Sequence, residues 1–79
     1  MANKPWHPDQ QAMRAVLKQI RVEAELSQVD LAKLLVKPQS YVSKYESGER
    51  KLGYLEVKEI CLKCGTTITK FDNKLSKLL

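Results

Sequence analysis

Cys61 and Cys64, in the spacing Cys-x-x-Cys, are the side chains of this sequence best placed for metal or redox chemistry. A structural zinc site takes four Cys or His ligands, and His7 is the sole His available to join them. As a redox motif the pair lacks the strand-then-helix setting of thioredoxin-like proteins. Both thiols fall on the apolar side of a helical pattern, so they read as core. His7, between Trp6 and Pro8, reads as part of an N-terminal arm. No nucleophile stands beside a base, no glycine loop could cradle a phosphate, and no carboxylates are paired at catalytic spacing. An enzyme is therefore not expected, nor a metal or cofactor. What remains is the chemistry of cations and amides. Lys and Arg number 14 against 9 Asp and Glu, a net charge of +5 that favours a polyanion as partner.

Groups of that kind work only when a scaffold fixes them. The chain has 79 residues, 43% apolar and 29% charged, which suits one small globular domain. At this size folding hides only roughly 60% of the chain's surface, so a deep cleft is not expected. No apolar run approaches the roughly 18 residues of a membrane span. The opening MANKPWHPDQQ lacks the apolar core of a signal peptide, and two Cys make no disulfide framework. A cytoplasmic protein is expected, one domain over residues 1–79 with residues 1–7 as a flexible arm.

Five short helices account for the periodicity. The first begins at Pro8, with Asp9 at the positive end of its dipole, and buries Met13, Val16, Leu17, Ile20 and Ala24. Arg14, Lys18 and Arg21 share a different face, which reads as solvated. Ser27 caps the second helix, with Asp30 completing an imperfect capping box, since Glu or Gln is the usual partner. Leu31, Leu34 and Leu35 form its apolar side, and it stops near Val36 because Lys37 precedes a proline. Pro38 suits the first position of the third helix, which turns Val42 and Tyr45 inward and ends at Ser47-Gly48. Gln39, Ser40, Ser43 and Lys44 lie on its outer side. The fourth helix runs roughly from Tyr54 to Cys64, capped by Gly53 and stopped by Gly65, with Leu55, Ile60, Cys61 and Cys64 inward. The fifth covers roughly Thr69 to Leu78 on a stripe of Ile68, Phe71, Leu75 and Leu78. The fold class is all-α.

The second and third helices are joined by Val36-Lys37-Pro38, the connection of a helix-turn-helix unit. In that unit one helix crosses the DNA backbone and the next enters the major groove. The segment from Leu26 to Leu35 (LSQVDLAKLL), continued by Pro38 to Arg50 (PQSYVSKYESGER), resembles the Cro/C1-type (XRE) helix-turn-helix regulators. The likeness spans Met13 to Leu75. It implies a compact five-helix domain of the lambda-repressor-like type that binds operator DNA, usually as a dimer.

The resemblance also implies roles. Gln28 matches the glutamine that holds a phosphate at the start of the second helix, the alternative being an exposed first-turn residue. Gln39 and Ser40 stand where the recognition helix reaches base edges, and a Gln can pair bidentately with adenine. Ser43 and Lys44 lie one turn on, Lys44 facing guanine or else a phosphate. Tyr41 could meet a thymine methyl, a sugar or a phosphate, or pack partly into the core. Lys37, Arg50 and Lys51 fall with the backbone contacts. Arg21 and Glu46 match an arginine–glutamate pair that fixes the third helix against the first. The family often has glycine where this chain has Val36. A β-branched residue at positive φ is disfavoured, so either the turn is shaped differently or Val36 is strained.

Three of the last five residues are leucines, more than one short helix can bury. Phe71, Leu75, Leu78 and Leu79 are therefore expected to form a homodimer interface, the alternative being that they close the monomer's core. Trp6 reads as a cover between the first and fifth helices, with DNA or a second subunit as alternatives. The function expected is a phage- or controller-type repressor or activator reading a double-stranded operator. The rival is an antitoxin that neutralises a partner toxin and autoregulates its operon. An RNA-binding helical domain is weaker, for want of an aromatic platform.

Overall fold

Four of the helix ends are closed by one backbone device, and it sets the lengths of the elements. The computed structural model describes residues 8–79, so the readings of Trp6 and His7 lie outside the described residues. It contains α1 (Pro8–Glu23), α2 (Gln28–Leu35), α3 (Gln39–Ser47), α4 (Tyr54–Lys63) and α5 (Ile68–Leu78), with no strand among the described residues. At the end of α1 the Leu26 N–H bonds back to the Arg21 carbonyl (3.2 Å) and the Glu25 N–H to Val22 (2.9 Å). The same pair of bonds ends α2 (Lys37 to Ala32, Val36 to Lys33), α3 (Glu49 to Lys44, Gly48 to Tyr45) and α4 (Thr66 to Cys61, Gly65 to Leu62). Each needs one residue in left-handed backbone. Gly48 (φ 93°) and Gly65 (φ 78°) supply it without strain, whereas Glu25 (φ 60°) and Val36 (φ 57°) do so against their side chains.

The starts follow from side-chain chemistry. The Ser27 hydroxyl accepts the Asp30 N–H and the Asp30 carboxylate accepts the Ser27 N–H, so the capping box closes fully with Asp. Thr67 caps α5 through the Lys70 N–H. Pro38 precedes α3 rather than opening it. Its backbone is extended (φ −69°, ψ 156°), and its carbonyl accepts the Tyr41 N–H.

The core draws on all five helices: Val16, Leu17 and Ile20; Leu31, Ala32 and Leu35; Val42 and Tyr45; Val57, Ile60 and Cys61; and Phe71. Two expected core positions differ. Leu55 is 75% exposed, and Val57 takes its place. At about 100° per residue, Val57, Ile60, Cys61 and Cys64 form one stripe, and Leu55 lies nearly opposite Val57. Leu34 is also 44% exposed, because Leu31 and Leu35 already fill the side of α2 that meets the core. The face holding Arg14, Lys18 and Arg21 is not uniformly solvated. Lys18 is exposed, Arg14 is half-buried and Arg21 is buried.

Candidate nucleic-acid interface

Three residues separate α2 from α3, and Val36 makes the turn between them in left-handed backbone (φ 57°, ψ 49°) with its side chain 88% exposed. This settles the choice left by the sequence: the turn keeps the shape a glycine would give, and Val36 bears the strain. Val42 and Tyr45 anchor α3 on the core. The opposite side therefore carries Gln39, Ser40 and Lys44 exposed and Ser43 half-exposed. Ser43 turns its hydroxyl back to the Ser40 carbonyl (3.3 Å). Gln39, Ser40 and Lys44 thus keep side-chain donors directed away from the core.

A polar chain reaches this face from the interior. Arg21 Nε donates to Glu46 Oε2 (2.7 Å) and Nη2 to Oε1 (3.2 Å), and Nη1 donates to the Leu26 carbonyl (2.8 Å). The pair is nearly dry, with side-chain exposures of 11% and 5%. The bond to Glu46 raises the Arg21 pKa above its ordinary value, against the opposing effect of burial. Gln28 Nε2 donates to Glu46 Oε1 (3.0 Å), and Gln28 Oε1 accepts from Gln39 Nε2 (3.4 Å). The first residue of α3 is thereby tied through α2 to a charge pair between α1 and the end of α3.

A second cluster went unread in the sequence. Tyr41 packs edge-on to Tyr45 (centroids 5.8 Å apart, 77° between planes), and its hydroxyl donates to Glu56 Oε2 (3.0 Å). Arg50 Nη2 bonds the same oxygen (2.9 Å), while its guanidinium carbon stands 4.8 Å from the centre of the Tyr41 ring. Lys37 Nζ lies 5.4 Å from that ring. The other Glu56 oxygen accepts the Gly53 N–H (2.9 Å). That bond first, then Arg50 and Tyr41, hold the Glu56 carboxyl below the usual range. Burial, then the bond to Glu56, push the Tyr41 hydroxyl up. Glu56 was missed because Tyr41, the partner that ties it to α3, lies 15 residues away. The available signal was a glutamate three residues after a glycine cap. Lys51 is exposed beside the cluster.

The remaining candidates are placed as follows. Cys61 is buried and Cys64 half-buried, both free thiols; burial, then the neighbouring Cys64, push Cys61 up to about 11. Among the described residues no group of three His, Cys, Asp or Glu stands together as metal ligands would. No described helix is long and apolar enough to cross a membrane. In the expected dimer stripe Phe71 is a correction. It is 6% exposed because it docks α5 into the core, so it is not surface. Leu75 is half-buried, and Leu78 (58%) and Leu79 (65%) are exposed.

The helix-turn-helix family profile matches residues 17–71, from the core of α1 to Phe71. An XRE-family like protein from Pseudomonas syringae pv. tomato str. DC3000 is similar over 89% of this chain and 85% of its own, at 36% identity and a TM-score of 0.81. The chain belongs to the XRE-type helix-turn-helix family. As an XRE-type protein it is a DNA-binding transcriptional regulator. The restriction-modification controller protein C.Esp1396I, solved as a tetramer in complex with its natural 35 base-pair operator, is similar at 26% identity and a TM-score of 0.81. The match covers 89% of this chain and 92% of the controller. The clp gene regulator ClgR from C. glutamicum shares the fold at 17% identity and a TM-score of 0.78, over 87% and 88% of the two chains. No curated protein matches the XRE-type sequence.

Proposed function

We propose that this protein reads a short operator through the major groove, α3 lying in the groove, and that it does so as a homodimer. The observation that carries the reading is the outward face of α3. Gln39, Ser40 and Lys44 are exposed on a helix whose opposite side is locked into the core by Val42 and Tyr45. A major groove about 12 Å wide admits such a helix. Gln39 offers an amide to adenine, Ser40 and Ser43 are permissive, and Lys44 supplies a donor for guanine. Tyr41 commits its hydroxyl to Glu56, so its ring edge is the part left for a thymine methyl or a sugar. Gln28, Lys37, Arg50 and Lys51 flank α3 and serve backbone phosphates. The Arg21–Glu46 pair holds α3 at its angle and, through Gln28, fixes the Gln39 amide before DNA arrives.

The dimer follows from read length and from the C-terminal leucines. One helix reads three to five base pairs, too few to mark a genomic site. Assembly of the controller C.Esp1396I as a tetramer on its operator supports binding by more than one copy here.

Selection of binding sites from random DNA tests the function. The expected product is a symmetric or near-symmetric site whose half-site centres lie about 34 Å apart or a multiple of it. Gln39→Ala should then lose roughly 1–3 kcal/mol of discrimination at one base position. Recovery of no enriched sequence overturns the reading. Full specificity in Gln39→Ala shows that the reading face lies elsewhere.

A further inference from the structure

Three cations stand around one shallow pocket on this molecule: Arg14 from α1, and Arg50 and Lys51 from the segment after α3. Its apolar walls come from Leu17, Tyr45 and Leu52. Among the described residues Arg50 alone of the three cations is neutralised, by Glu56. Among the described residues neither Arg14 nor Lys51 has an acidic partner, and none of the Arg14 guanidinium N–H groups finds a protein acceptor. Arg14 is a half-buried residue, and its guanidinium carries five donors in a rigid plane.

The position of Arg14 depends on its neighbour. A methyl group built on Gly48 would lie 2.9 Å from Arg14 Cζ and 3.0 Å from Nη1. The guanidinium thus lies flat against bare backbone at the C-terminal end of α3. Favourable interaction with the negative end of the helix dipole explains part of this. It does not explain why Lys51 stands at the same pocket with no counter-charge. The carbonyl of Lys44 at that end is already bonded by Glu49, Arg50 and Ser47. Among the described residues the donors of the Arg14 guanidinium are left without a protein acceptor.

We propose that this pocket seats one phosphate group, with Arg14 and Lys51 as its cations. A guanidinium fork matches two phosphoryl oxygens, and a lysine ammonium adds a point charge. The group can belong to the DNA backbone, which rests on the reading of α3 given above, or to free phosphate, which does not. In the first case Arg14 extends the phosphate contacts beyond α2, α3 and the Arg50–Lys51 segment to α1.

The experiment uses the full chain, Arg14→Gln, and Lys63→Gln as a control. Lys63 is an exposed cation at the opposite end of α4 from the Gly53 side where the pocket lies. Affinity for the selected operator is measured against salt concentration. If the phosphate is DNA's, the slope of log affinity against log salt falls by about 0.9 per subunit in Arg14→Gln, with base preference unchanged. In the second arm, pyrophosphate is titrated into the free protein at low salt while amide resonances are followed. If the phosphate is free, Gly48, Lys51 and Leu52 shift and saturate, and Arg14→Gln abolishes this. A slope change no larger than that of Lys63→Gln, together with no saturable pyrophosphate shift, overturns the proposal. Wild-type protein that binds no DNA removes the first arm and the functional reading with it, and the second arm still decides the pocket. Thermal melts check folding, and Arg14→Met, which keeps the apolar stem, replaces Arg14→Gln if that variant does not fold.

Discussion

A β-branched side chain in left-handed backbone crowds its own carbonyl, at roughly 1–2 kcal/mol, and Val36 accepts this at φ 57° while burying almost nothing. Val36→Gly removes the crowding and gives back about 0.5–1 kcal/mol in backbone entropy. The expected net gain is at most about 1 kcal/mol, which at this chain length corresponds to a Tm up to roughly 4–8 °C higher. A thermal melt checks it, and an unchanged or lower Tm would mean that Val36 is held by contacts rather than endured. Glu56 gives a second prediction, through pH. Its carboxyl titrates below its ordinary value of 4.5, first because of the Gly53 N–H and then because of Arg50. A lowered folded-state pKa adds stability that is complete above the unfolded pKa and is lost as pH falls through the folded one. Glu56→Gln should therefore be less stable than the parent near neutrality, and the difference should narrow as pH falls below the ordinary glutamate value. Urea melts at pH 7, 5 and 3.5 measure this. A difference that stays constant with pH would assign the effect to packing.

Between elements, the bond that joins α1 to the last turn of α3, and so holds the face proposed to read DNA, is Arg21 to Glu46. Removing one partner strands a buried charge, at roughly 3–5 kcal/mol, whereas replacing both by apolar groups often costs far less. Arg21→Met and Glu46→Leu should each destabilise by about that amount, and the double variant by much less than their sum. Urea denaturation of all four proteins closes the cycle, and strict additivity would show that the pair does not act as a unit. Even a stable double variant should lose discrimination at the Gln39 base pair, because Gln28 no longer has Glu46 to hold it. Much at this scale was legible beforehand. Ser27 and Gly48 mark helix ends through chemistry confined to their own few residues, so those boundaries fall where the sequence puts them. The stop of α1 at Glu25 was not legible, since nothing in a glutamate signals left-handed backbone. Leu55 was misread because α4 carries apolar residues on two faces, and only the packing of five helices selects Val57. The Tyr41–Glu56–Arg50 cluster was hidden for a related reason: it joins α3 to α4 across 15 residues of chain.

Taken as a whole, the molecule has spent its apolar side chains unevenly. α5 docks through Ile68, Phe71 and Leu75, and with those in place Leu78 and Leu79 have no core left to enter; they stay 58% and 65% exposed. Exposed apolar surface at one end of a basic domain proposed to read two half-sites is best covered by a second copy, since a two-fold axis there brings the leucines of both copies together. Leu78→Glu places like charges across that axis without touching the core, so the variant should fold with the parent's helical spectrum and sediment as a monomer at tens of micromolar. Its operator affinity should fall far more than its affinity for a single half-site, because only the dimer engages two. A parent protein that stays monomeric at that concentration, on DNA and off it, ends the dimer. A Leu78→Glu protein that remains dimeric moves the axis to another exposed apolar face, and Leu55 and Leu62 on α4, 75% and 58% exposed, are then the residues to change next.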